Sequence, residues 1–167
     1  MSITLRSIGV AIALAVAAGI ASAQVESHKV LTLDGAKKVA AAAAAEAKRS
    51  STPSGAIAIV DDGGHLLYLE RLDNTFPAAA TVAIEKARTA AQFRRPTRVF
   101  EEAIKNGRAS LLGVAVMTPL QGGVPIMVDG QMVGAIGVSG AASAQQDDDI
   151  AQAASTALET KQAGAGR

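Results

Sequence analysis

The stretch AIAIV-DDGG-HLLYLERL, residues 56–72, decides the fold. Ala56 to Val60 is a short apolar run, three of its five residues β-branched, of the kind that suits a pleated sheet. Asp61-Asp62-Gly63-Gly64 is a strong turn signal, and His65 to Leu72 reads as the returning strand of a β-hairpin. A second hairpin lies downstream. Val124 to Val128 leads into Asp129-Gly130, a two-residue hairpin turn, and Gln131 to Ser139 is its partner strand. Gly134 and Gly137 within that strand point to a close backbone approach or a bulge. Hairpins require antiparallel pairing, which excludes a parallel doubly wound sheet.

Helices flank the hairpins. Val30 to Ser51 reads as helix, with Thr32 as cap, Asp34 in the favourable first turn and an unbroken run of alanines from Ala40 to Ala45. Thr52-Pro53-Ser54-Gly55 ends it. Pro77 is placed to open a second helix, Ala78 to Gln92, with Ala80, Ile84, Ala87 and Ala91 on one face and Glu85 and Arg88 paired on the other. Arg94-Arg95-Pro96-Thr97 interrupts it. Thr97 can then cap a short helix, Arg98 to Asn106, stopped by Gly107. Ala144 to Lys161 is the last helix, followed by a frayed tail from Ala163 to Arg167. Ala109 to Leu120 leaves strand and loop both open, with Val114 to Met117 as its strand candidate. The expected architecture is α+β within the broad α/β class: one antiparallel sheet of about five strands covered by helices.

The N-terminus reads as an export signal. Arg6 is the sole charge in residues 1–23 and precedes the apolar run Ile8 to Ile20; Ala21-Ser22-Ala23 is a small-x-small cleavage pattern. The run is too short to span a bilayer comfortably, so no stable membrane anchor is expected after cleavage. The expected location is periplasmic or secreted, with residues 24–167 as one domain. Without that segment, which holds one of the 16 basic residues, positive side chains balance the 15 acidic ones. A neutral domain with one Tyr, three Phe and no Trp is no nucleic-acid binder. It has no cysteine, so neither disulfides nor thiolate metal sites contribute.

Seven fragments in order carry a resemblance. They are Val60 to Leu66, Arg71-Leu72-Asp73, Lys86 to Ala90, Phe93 to Thr97, Gly122 to Ile126, Gly134 to Gly140, and Gln146-Asp147 with Ile150-Ala151. In this spacing they resemble the GlcG/HbpS family, also met as the C-terminal domain of PduO-type proteins, from about Leu33 to Ala157. The resemblance implies a profilin-like fold with a five-stranded antiparallel sheet, homo-oligomers, and haem as a ligand. It further implies that some relatives are exported, and that some take up iron or degrade haem slowly. The family's haem site is not uniform, so no ligand set transfers.

The residues themselves give candidates. Haem needs an apolar slot, basic groups for its propionates and usually an axial donor. The stretch 85–98 holds Lys86, Arg88, Arg94, Arg95 and Arg98 against Glu85. Its loop sets Phe93 beside Arg94 and Arg95, which suit carboxylates, and beside Thr97, whose hydroxyl offers an oxygen donor. Set against this is a solvated helix face whose arginines pair with a neighbouring subunit. His65, just past the first turn, is a reachable donor or a plain surface residue; His28 lies in an N-terminal lead. Met117, Met127 and Met132 read as core fillers, and Asp147-Asp148-Asp149 as an acidic first helical turn rather than a metal site. No catalytic constellation stands out. The leading expectation is an exported small-ligand binder, haem first, acting in sequestration or sensing. The alternatives are an enzyme acting on haem or a small organic acid, with His65, Asp61 or Asp62 as base, and a non-catalytic structural partner.

Overall fold

The computed structural model describes residues 27–50 and 54–159. The expected signal segment 1–23, the expected breaker residues 52–53 and the expected tail 163–167 lie outside the described residues. Helix α1 runs Leu33–Arg49, capped by the Thr32 hydroxyl, which accepts from the Gly35 N–H at 3.1 Å. Strands β1 (Ala56–Asp61) and β2 (Leu66–Arg71) form the first hairpin. Helices α2 (Ala78–Phe93) and α3 (Arg98–Lys105) follow, then a 3-10 turn, Ala109–Gly113. Strands β3 (Gly123–Val128) and β4 (Gln131–Ser139) form the second hairpin, and α4 (Ala144–Ser155) closes the described chain, capped by Ser143.

Among the described residues the sheet has four strands in the order β2-β1-β4-β3, all neighbours antiparallel. This corrects the expected five. Val114 to Met117 forms no strand; it leaves the 3-10 turn as irregular chain, with Val116 64% exposed. A fifth strand would need a free ladder. β3 is an edge, but at Gly123 its outer side is already bonded to Thr97, and Pro125 has no N–H to give.

Strand alternation splits the core in two. Ile57, Ile59, Ile136 and Val138 face α1 and α4 and join Val39, Ala43 and Ile150. Ala56, Ala58, Val60 and Ala135 face α2 and meet its stripe Ala79, Ala83, Ala87, Ala90 and Ala91. The second layer is built of small side chains, so helix and sheet approach almost backbone to backbone. A Cβ on Gly137 would lie 2.0 Å from the Ala83 carbonyl oxygen. That is the close approach its glycine signalled. Glu85 and Arg88 pair on the outer face of α2 at 2.5 Å, as their spacing predicts.

Candidate functional site

The connector from α2 to α3, Phe93 to Thr97, is fixed at both ends. At the first, Arg94 takes the left-handed conformation (φ 53°). Its N–H reaches the Ala91 carbonyl at 3.3 Å and the Arg95 N–H reaches that of Ala90 at 3.2 Å, the double closure usually built on glycine. At the second, Thr97 is fully buried. Its N–H donates to the Gly123 carbonyl at 2.9 Å and its hydroxyl accepts from the Gly123 N–H at 2.8 Å. Thr97 is therefore not the hydroxyl cap of α3; it has helical dihedrals, makes no capping bond, and ties the connector to the edge of β3. Phe93 packs edge-on to Phe100, ring centroids 5.3 Å apart, while Arg94 and Arg95 stand exposed.

Beside this connector a groove of about 760 Å³ opens along the free edge of β3. Arg94 and Pro96 form one side; Val124, Pro125 and Met127 of β3 form the floor; Gln152 and Ser155 of α4 and the lead residues Ser27 and His28 complete it, with Met132 and Asp62 at the hairpin end. The groove thus offers an apolar bed, a guanidinium, an imidazole and two thioethers. Of the candidate haem contacts, Arg94 lines it. Phe93, Arg95 and Thr97 sit in the same connector outside the lining, and His65 lies on the other side of the β1–β2 turn. Met127 and Met132, expected as core fillers, line the groove instead, Met127 being 38% exposed, and His28 of the N-terminal lead joins them. What brings them together is the path of the lead: the Lys29 N–H donates to the Gln131 side-chain oxygen at 3.1 Å and the Lys29 ammonium pairs with Asp129.

The two histidines each meet one aspartate of the first turn. His65 Nδ1 lies 3.2 Å from Asp61, and His28 Nε2 lies 3.8 Å from Asp62. Burial pushes the Asp61 carboxyl up, but the hydrogen bonds and charge of His65 and the Gly63 N–H outweigh it and hold it below its ordinary value. Among the described residues no group of three or more acidic or histidine side chains is arranged to hold a metal.

A buried polar cluster stands behind the connector. Lys86 of α2 is 2% exposed and donates to the Val138 carbonyl and to Asp147, both at 2.9 Å; Asp147 is 6% exposed and also accepts from the Ala141 N–H. Asp148 accepts from the Gly122 N–H at 3.2 Å, with Arg98 at 3.9 Å. So Lys86 is not part of a solvated basic face, and two of the three consecutive aspartates point inward. Burial pushes the Asp148 carboxyl above its ordinary value, and Asp149 adds to this; the Gly122 N–H, Arg98 and Gln152 oppose it without cancelling it. A raised carboxyl holds its proton more tightly in the folded chain. Its stabilising contribution is therefore complete below the unfolded value and is lost as pH rises through the folded one. Asp148→Asn is expected to remove that slope. In urea melts at about pH 4 and pH 7, its stability relative to wild type should increase toward neutrality.

Comparisons with known proteins bear on the family and the fold. The family model described as haem degrading protein HbpS-like matches residues 31–156. Protein GlcG of Escherichia coli is 47% identical over 110 residues, covering 66% of this chain and 81% of its own. The crystal structure of HbpS is similar at a TM-score of 0.73 and 30% identity, covering 81% of this chain and 95% of that one. A crystal structure of a PduOC–heme complex is similar at 0.68 and 25%, covering 78% and 96%. With the model matched over most of its length, this chain belongs to the HbpS-like family.

Proposed function

We propose that this protein is an exported haem-binding protein that holds its ligand in the groove beside the α2–α3 connector. The observation that carries the reading is the meeting of Arg94 with His28 and Met127 over an apolar floor. This matches what the ligand asks for: a cation for a propionate, a nitrogen or sulfur donor for the iron, and apolar walls for the macrocycle. Membership in a family that includes a haem complex supports the choice of ligand. Bound haem would supply an iron centre with an exchangeable coordination position. The chain's part is to orient and shelter it, with Thr97 and Phe93 holding Arg94 in place. Sequestration or sensing is preferred to turnover, because the Asp61–His65 pair, the best-formed acid–base couple, is not among the residues that line the groove.

Hemin titration of the purified protein tests this. A red-shifted Soret band is expected. Arg94→Ala should weaken binding about tenfold, the worth of one charge-assisted hydrogen bond, while Arg95→Ala, outside the lining, should leave it near wild type. No band, or equal effects of the two substitutions, would refute the site. Bleaching of the band under a reductant would assign haem breakdown instead. Export is tested by N-terminal sequencing of protein recovered from the periplasm or medium, where a start at Gln24 is expected.

Self-association belongs to the same reading. No residue of α3 is buried, and Leu112 and Val116 beyond it are 66% and 64% exposed. Apolar side chains displayed in this way call for a cover. Glu102 and Arg108, both exposed nearby, supply the two charge signs that a two-fold contact between copies needs. Light scattering should return a mass above one chain, and Leu112→Glu with Val116→Glu should lower it.

A further inference from the structure

A second cavity, about 410 Å³, lies next to the groove and is mainly apolar, lined by Val30, Leu31, Val128, Val133 and Leu158. Its adjacency is written in three elements at once. Along the N-terminal lead the lining passes from the groove at His28 to the second cavity at Lys29. Along β4 it passes between Met132 and Val133, and at the end of α4 between Ser155 and Leu158. The lead thus lines both spaces.

The lead is held unevenly. Leu31 is buried in the main core, its side chain against Gly134, and Thr32 is locked as the cap of α1. Residues 27–30 are all exposed. Their polar fastenings are the Lys29–Asp129 ion pair, the Lys29 N–H on Gln131, and the approach of His28 to Asp62. Ion pairs in water are weak, so these fastenings release far more easily than Leu31 leaves the core. We infer that residues 27–30 are a lid hinged at Leu31, and that the second cavity is a subsite for the apolar edge of an amphipathic ligand whose anionic end meets Arg94. The inference rests on the proposed use of the groove, and it adds a route of entry and a second contact region.

The test uses the full chain with two probes. One is hemin, followed by stopped-flow absorbance. The other is anilinonaphthalene sulfonate, an anionic apolar dye read without hemin. Lys29→Ala and Asp129→Asn each release the ion pair. Each should raise the hemin association rate two- to fivefold, on the order of one surface ion pair, and raise dye emission. The double variant should go no further than either single one. Leu158→Trp, which fills the second cavity, should lower hemin affinity on the order of tenfold at unchanged melting temperature. Wild-type rates and emission in both single variants would overturn the lid, as would raised emission with an unchanged hemin rate. Unchanged affinity in Leu158→Trp would overturn the subsite. If wild type gives no Soret band, the haem reading fails by itself, and the dye alone then decides the lid: a rise on release supports it and none overturns it.

Discussion

Lys86→Met is expected to lower the unfolding free energy by about 3–5 kcal/mol, the usual cost of stranding one member of a buried ion pair. Methionine roughly preserves the volume, so little of the loss would come from packing. Asp147 would be left inside the protein with the Ala141 N–H but without its cation, and the Val138 carbonyl would lose its ammonium donor. The pair also joins three elements, α2, the end of β4 and the start of α4, so its loss loosens all of them. Urea denaturation should show a lower midpoint at similar slope. Lys86→Met combined with Asp147→Leu should recover a good part of the loss, because it removes the orphaned charge. If the double variant is as unstable as the single one, the ion pair is not the source of the effect.

Gly137→Ala is expected to be as damaging by a different route. The added methyl would stand 2.0 Å from the Ala83 oxygen and 2.6 Å from the Ala87 nitrogen, and both are helix backbone. No side chain can turn aside, so α2 must lift from the sheet. The cost should be about 3 kcal/mol or more, at the top of the range for overpacking. Gly113→Ala is the control, since a methyl there meets nothing within 4 Å, and it should melt near wild type. Because the connector begins where α2 ends, Gly137→Ala should also weaken hemin binding beyond what its stability loss explains. Titration well below the melting temperature separates the two effects.

Much of this architecture was legible because its signals are local. Asp61-Asp62-Gly63-Gly64 and Asp129-Gly130 mark hairpins by turn chemistry alone, and Pro77 and Thr32 mark helix starts. That the sheet stops at four strands was not legible, because Val114 to Met117 has strand composition and whether it pairs depends on a distant edge. Thr97 shows the same limit. Its place before Arg98 looks like a cap, yet its hydroxyl goes to Gly123, 26 residues on. Lys86 and Asp147 are 61 residues apart, and each alone resembles an ordinary surface charge. The basic connector stood out in the sequence, and the structure sets Arg94 in the lining of a groove. His28 could not be ranked, since nothing before it in the chain foretells that Lys29 will fasten to Asp129 and Gln131.

Arg94 takes the left-handed helix-end position that glycine usually fills, with φ at 53°. For a side chain of that size the left-handed pose costs roughly 1–2 kcal/mol. A lineage selected only for heat resistance would drift toward glycine at this point and gain by it. With arginine there, the chain gives up some robustness and has a guanidinium in the lining of the groove. Consensus-style stabilisation of this protein should therefore leave position 94 alone, however attractive the exchange looks on a melting curve.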